Sequence, residues 1–248
     1  MCNRFAVGKR CVKMPGVIHL HPTADLAERV LLPGDPGRAF RLAQGLLENP
    51  SMFNHNRGLW GYTGTAPDGH PLTIQTTGMG GPSAAIVTHE LIELGAKRLL
   101  RVGTCGGLHR DLRLGQLLIT SEALSDDGAS KALADLAPLA PVAATPLLLA
   151  ALREVAGPDV ADGPVVSTDL FYDAADRHQS WIDAGALAVE MEAATVFTIA
   201  HRRDVEAGCA LLISDTLVDP DGFKRIEEHE LHAAELALGR LAVAALAV

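Results

Sequence analysis

The sequence predicts an α/β domain in which helices cover both faces of a central sheet, and three observations carry that expectation. Short aliphatic runs alternate with longer segments of helical periodicity along most of the chain. Polar and glycine-rich clusters follow directly on the aliphatic runs, which is where open α/β sheets place their ligands. A length of 248 residues with 48% hydrophobic content is enough for one domain with a large buried core.

Taken in order, Val30-Leu31-Leu32 is the first strand, stopped by Pro33-Gly34-Asp35-Pro36. Residues 39–47 then show helical periodicity, so Gly34 to Arg38 form a strand-to-helix turn. A hairpin over residues 59–65 and 72–77 closes around Pro67-Asp68-Gly69. Gly78 to Ser83 follow, and Pro82 suits the first turn of a helix reaching about Leu94. Residues 99–102 are a buried strand ending in Gly103-Thr104-Cys105-Gly106-Gly107, and residues 117–120 another strand. Residues 125–164, rich in Ala, Pro and Asp, are expected to form a variable loop with one helix near 146–155. Strands return at Val165-Val166, 186–189 and 210–213, with helices over 174–184 and 191–202 and a closing helix over 226–247. The apolar tail, residues 241–248, is expected to be a packed helix end. With no internal repeat and no linker, one domain is expected over residues 14–248. Residues 1–13 read as a dispensable extension, with Met14 as an alternative initiator.

Composition excludes several function classes. A formal charge of −9 argues against nonspecific nucleic-acid binding, so any bound anion needs a local site. The four cysteines, Cys2, Cys11, Cys105 and Cys209, are too scattered for a zinc knot or redox dithiol and read as free thiols in a reducing cytosol. No stretch resembles a secretory signal or approaches the ~20 apolar residues that span a bilayer, so a cytoplasmic location away from membranes is expected. His89-Glu90-Leu91-Ile92-Glu93 lacks the second histidine of a zinc helix, and His229-Glu230-Leu231-His232 has no supporting acid cluster. Both are expected to be solvated helix faces, and no metal site is expected. There is no Walker lysine and no Gly-x-Gly-x-x-Gly fingerprint after the hairpin, which weakens nucleotide triphosphate and dinucleotide readings.

The polar residues at the strand ends have specific chemical uses. The Gly34 to Arg38 turn offers backbone N–H groups and a guanidinium, suited to a phosphate dianion or simply to an ordinary turn with a surface arginine. Arg101 interrupts the apolar run Leu99-Leu100-Arg101-Val102, so it must meet either a bound anion or a carboxylate of the protein. Gly103 would let a ligand approach the backbone, and Thr104 can donate to phosphate. Glu190-Met191-Glu192 sets two acids at a helix start; capping accounts for one, and the other can accept from vicinal ribose hydroxyls while Met191 packs on the sugar. Asp215, after Leu211-Leu212-Ile213, either caps a turn or acts as a general acid. Phe171-Tyr172 either stack on a planar base or belong to the core.

In order and spacing these segments resemble the nucleoside phosphorylase family, most closely its hexameric purine nucleoside phosphorylases. The resemblance covers residues 19–217 and rests on Leu32-Pro33-Gly34-Asp35-Pro36-Gly37-Arg38, Arg57-Gly58-Leu59-Trp60-Gly61-Tyr62-Thr63-Gly64, Thr77-Gly78-Met79-Gly80, Arg101-Val102-Gly103-Thr104-Cys105-Gly106, Asp169-Leu170-Phe171-Tyr172, Val189-Glu190-Met191-Glu192-Ala193 and Ser214-Asp215. It implies a single-domain fold with a mixed central sheet partly closed into a barrel, and a homohexamer built as a trimer of dimers with shared active sites. It implies phosphorolysis of purine (deoxy)ribonucleosides to the free base and (deoxy)ribose 1-phosphate, with inorganic phosphate as co-substrate and no cofactor or metal. By the same resemblance Gly34, Arg38, Arg101 and Thr104 bind phosphate together with Arg57 of a neighbouring subunit. Met191 and Glu192 hold the ribose, with a neighbour's His19 at the 5′-hydroxyl. Phe171 and Glu190 line the base site, and Asp215 protonates the purine at N7.

The sequence departs from the family pattern after Ser214-Asp215, where an arginine usually supports the aspartate; Lys224 and Arg225 lie near without a clear alignment. Residues 125–141 also look shorter and richer in Ala and Pro than the family's. Uridine phosphorylase shares the phosphate site, but residues 173–179 are short for its characteristic insertion and Ser214-Asp215 favours purines. Arg38, Arg57 and Arg101 oppose a water-using nucleosidase, and the presence of Glu192 and Asp215 opposes a non-catalytic nucleoside-binding protein.

Overall fold

The computed structural model describes residues 16–172, 174–218 and 222–247; the expected extension, Met14, Cys2 and Cys11 lie outside the described residues. All eleven strands among them join one mixed sheet. Strand β1 (Arg29–Leu32) runs parallel to both β4 (Pro71–Gln75) and β5 (Arg98–Gly107). An antiparallel meander, β2 (Glu48–Asn54) with β3 (Gly61–Thr65) and β4, forms one wing.

The other half closes on itself. Strand β5 pairs in parallel with β10 (Glu206–Thr216), which pairs with β6 (Leu117–Asp126), then β8 (Ala161–Thr168), then β9 (Ala188–Glu190), which returns antiparallel to β5. This five-strand ring is the expected partial barrel, and closure leaves its members no free edge. Short strands β7 (Ala140–Ala143) and β11 (Lys224–Arg225) flank β6 and β10. One register shift matters for the site. Ile213 pairs with Cys105 but Asp215 pairs with Gly106, so Ser214 is an extra residue in β10 and forms a bulge.

Seven α-helices among the described residues cover the sheet. Period-two alternation sends Leu99 and Leu211 into one core with α2 (Gly81–Leu94) and α6 (Ala193–Arg203), represented by Leu91 and Phe197. The neighbours Leu100 and Leu212 enter a second core with α1 (Pro36–Leu46), α4 (Pro146–Val155) and α7 (Glu228–Leu246), represented by Leu42, Leu152 and Leu238. Asp35 caps α1 by accepting from the Arg38 N–H at 2.6 Å, and Pro36 fills its first turn. The buried Ala242, Val243, Ala245 and Leu246 show the expected packed end of α7.

The structure departs from expectation at four places. Residues 125–164 are not a loop with one helix: they also hold α3 (Gly128–Ala134), β7 and the first half of the β8 strand. Asp127 fixes α3 by accepting from the Ser130 N–H and the Thr195 hydroxyl, both at 2.8 Å. Strand β2 went unpredicted because only Phe53 and Asn54 of its seven residues are buried, so it shows no alternation. The His89-Glu90 face is not simply solvated, because Glu90 accepts from the N–H groups of Ile18, His19 and Leu20 at 2.7–3.0 Å. The segment over residues 174–184 also starts as a 3-10 turn before α5 (His178–Asp183).

Candidate active site

The ends of β1, β5, β9 and β10 open into a cavity of about 650 Å³, a size typical for small-molecule ligands. Gly34 and Arg38 enter it from the β1–α1 turn, Arg101 and Thr104 from β5. Glu190, Met191 and Glu192 enter where β9 meets α6, and Asp215 from the bulged end of β10. Phe171 and Tyr172 complete the rim; at 63% and 79% exposure they are not core residues. Their rings meet edge to face with centroids 5.0 Å apart.

Arg101 is buried and meets carboxylates, one of its two sequence-level alternatives. Its Nε donates to Glu190 Oε2 at 2.7 Å and its Nη2 pairs with Glu192. Burial alone lowers the guanidinium pKa, but Glu192 and Glu190 outweigh it and hold the charge in place. Yet Nη1 has no hydrogen-bond partner although it is buried. A Cβ placed on Gly34 would stand 4.0 Å from it and 3.5 Å from the Gly78 carbonyl, so the three segments converge there. A buried unpaired cationic N–H is costly, so this point invites an anion.

Gly103 has a different use from the one expected. A Cβ there would lie 2.9 Å from Arg101 Nη2 and 3.1 Å from Cζ, so the missing side chain makes room for the guanidinium. Glu190 is the capping acid of its pair. Its carboxylate accepts from the N–H groups of Glu192 and Ala193 at 2.9–3.0 Å and from the Ser167 hydroxyl, besides holding Arg101. Glu192 accepts from the Gly80 N–H at 2.5 Å, which ties the glycine turn after β4 to the cavity wall.

Asp215 is 7% exposed. Its Oδ2 accepts from the Ser214 hydroxyl at 2.8 Å and its Oδ1 from Arg225 Nη1 at 3.0 Å. The pairing of β11 with β10 sets Arg225 opposite Asp215, so the structure identifies a basic neighbour that sequence spacing left unaligned. Cys105 also lines the cavity, but burial pushes its thiol well above the ordinary value, and burial pushes Cys209 up to about 12. Neither supplies a thiolate nucleophile at neutral pH.

His19 and Arg57 do not line the cavity of their own chain. They share a surface platform: Asn56 Nδ2 donates to the His19 carbonyl at 2.8 Å, and the His21 N–H donates to Asn54 Oδ1 at 2.9 Å. The His19 ring meets Glu90 at 2.7 Å. Arg57 is exposed with φ of 58°, a left-handed conformation uncommon for a non-glycine residue and frequent at functional sites.

Sequence reasoning missed Glu235 on α7, which is 2% exposed and bonded to Arg38 and Arg41. Its signal was an acid in the apolar stripe Leu231, Leu238, Ala242 at helical spacing. His178 and Trp181 of the cavity wall were also missed. Trp181 is fixed by its Nε1 donating to Asp126 at 3.0 Å, a partner no local pattern indicates.

The sequence matches the model of the Phosphorylase superfamily over residues 28–247. A protein of Exiguobacterium sp. named Purine nucleoside phosphorylase DeoD-type is 42% identical over 197 residues, covering 78% of this chain and 83% of its own length. Proteins of the same name from Clostridium novyi and Clostridium beijerinckii are each 38% identical, the first over 78% of this chain and 84% of its own, the second over 91% and 98%. A family match over nearly the whole described chain, on a fold whose strand ends build one polar cavity, places this protein: it belongs to the phosphorylase superfamily.

Proposed function

We propose that this protein is a purine nucleoside phosphorylase, converting a purine (deoxy)ribonucleoside and inorganic phosphate to the free base and (deoxy)ribose 1-phosphate in purine salvage. The observation that carries the reading is the buried, unpartnered Nη1 of Arg101 in a cavity that also holds Asp215 paired with Arg225. One group calls for an anion and the other can serve a leaving base. The relatives named above act, by their names, on purine nucleosides.

In this reading Gly34, Arg38, Arg101 and Thr104 hold phosphate with Arg57 of a neighbouring subunit. Glu192 and Met191 hold the ribose, with a neighbour's His19 at the 5′-hydroxyl. Phe171 covers the base, while Glu190 serves the site by holding Arg101 and the start of α6. A phosphate oxygen forms the new bond to C1′ as the bond from C1′ to N9 breaks and its electron pair passes to the purine. The ribose becomes oxocarbenium-like, and the adjacent phosphate charge stabilises it. Asp215 gives its proton to N7, and Arg225 stabilises the carboxylate left behind. No metal or organic cofactor enters this scheme.

Shared sites in a homohexamer belong to the same proposal. The cavity of one chain has two arginines, Arg38 and Arg101, against the four carboxylates of Asp35, Glu190, Glu192 and Asp215. A phosphate dianion in it gains from a further cation, and Arg57 stands exposed on the platform with His19. Cytoplasmic residence is also proposed; no helix among the described residues is long and apolar enough to cross a membrane.

The test is to incubate the protein with inosine, guanosine, adenosine and uridine, each with and without phosphate, and to measure free base. Phosphate-dependent release of purines is expected. Release without phosphate, preference for uridine, or silence throughout would each overturn the proposal.

A further inference from the structure

Glu235 has no part in the reaction just described, yet both of its oxygens are committed. Oε1 accepts from Arg38 Nε at 2.7 Å; Oε2 accepts from Arg41 Nε at 2.9 Å and from Arg41 Nη2 at 2.7 Å. Arg38 lines the cavity and is 8% exposed, so its guanidinium lies between the cavity and this buried acid. The same arrangement occurs at Arg101, whose Nε is taken by the buried Glu190 while Nη1 is left without a partner. A guanidinium is a rigid planar fork, so fixing its Nε fixes the plane and the direction of its two terminal nitrogens.

We propose that Glu235 is a positioning residue for the phosphate site, holding Arg38 by Nε so that its terminal nitrogens meet a phosphate oxygen edge. The inference rests on the phosphorylase reading above. A purely structural alternative is that Glu235 only staples α7 to α1. Those helices already pack closely without it: a Cβ on Gly45 would meet Leu236 at 2.6 Å, and one on Gly239 would meet Leu42 at 2.6 Å. Loss of the carboxylate therefore leaves the helix pair docked.

The experiment is a double-mutant cycle read by steady-state phosphorolysis on the full chain, varying inorganic phosphate at saturating purine nucleoside. E235A is expected to raise the phosphate KM on the order of tenfold, with the nucleoside KM and kcat at saturating phosphate changed by less than about twofold. R38A is expected to raise the phosphate KM at least as much, and E235A to add nothing in the R38A background. E235Q keeps an oxygen that accepts from Arg38 Nε and is expected to fall between wild type and E235A; if E235A does not fold, the cycle is read from E235Q. Additive effects of the two substitutions, or a nucleoside KM raised as much as the phosphate KM, would overturn the positioning role alone. A wild-type protein whose base release ignores phosphate would remove the function and the positioning role together.

Discussion

Gly103→Ala tests the geometry of the buried arginine with a single methyl group. Gly103 lies in β5 without a positive φ, so alanine meets no backbone strain there and the effect is steric. The added Cβ would stand 2.9 Å from Arg101 Nη2, 3.1 Å from Cζ and 3.3 Å from Nη1, against about 3.5–4.0 Å for an unstrained contact between heavy atoms. The guanidinium must retreat by roughly half an ångström, while Glu190 and Glu192 hold it from the other side. Overpacking of this kind costs about 1–3 kcal/mol. Alanine recovers about 0.5–1 kcal/mol of the entropy that glycine loses in a strand. The net loss is about 0–2.5 kcal/mol, a fall in Tm of at most roughly 10 °C for a chain of this length. Displacement of Nη1 should also raise the phosphate KM about tenfold or more, since about 1.4 kcal/mol of lost binding is a factor of ten. Thermal melting and steady-state kinetics measure both quantities. A variant with wild-type phosphate KM would show that Arg101 is not held where the structure puts it.

Asp215→Asn should lower purine turnover by about 10²–10⁴-fold while leaving phosphate affinity, read by calorimetry, unchanged; Arg225→Ala, which removes only the half-exposed partner of the acid, should cost less. If D215N kept near-wild-type turnover on inosine, the general-acid role would be lost. Arg57→Ala and Asp215→Asn should each abolish most activity, yet recover part of it when co-refolded, because a mixed dimer contains one site with both native groups; absence of recovery would argue against sharing. Glu90 gives a pH prediction. Burial raises its pKa, but hydrogen bonds from the His19 ring and from the N–H groups of Leu20, Ile18 and His19 outweigh that and hold it below the ordinary value. A depressed folded pKa means the tether is at full strength above the ordinary carboxylate pKa and fades as pH falls below about 4. Amide exchange at residues 18–20, corrected for intrinsic rates, should accelerate there, and unchanged protection would contradict the assignment.

What was legible in the sequence follows from what stabilises each element. Val30 to Leu32, Leu99 to Val102 and Leu211 to Ile213 are buried on both faces, so they read as aliphatic runs, broken only by Arg101. Strand β2 and helix α3 do not, because β2 is mostly solvated and α3 buries only Ser130, its N-cap Asp127 being held by Thr195 from elsewhere in the chain. The same limit applies in the cavity. That Arg101 needs an anionic partner could be read from its apolar neighbours, but the sharing of its fork between two glutamates and an open nitrogen depends on residues 89 and 91 positions away. Gly103 was read as room for a ligand when the space is filled by a side chain two residues earlier. Arg225 lay in plain view, but only the pairing of β11 with β10 shows that it faces Asp215.

The extra residue at Ser214 has a consequence for how this protein tolerates change. Because the pairing slips by one between Ile213 and Asp215, the direction of the aspartate is set by a count of residues and not by any one side chain. A deletion of one residue in that short stretch would erase the bulge and, with Asp215 still opposite Gly106, remove the local bend that aims its carboxylate. Substitution libraries, which preserve length, will therefore report the buried core positions of this strand and Asp215 itself but not the bulge. Insertions and deletions will reveal it as one of the least forgiving places in the chain.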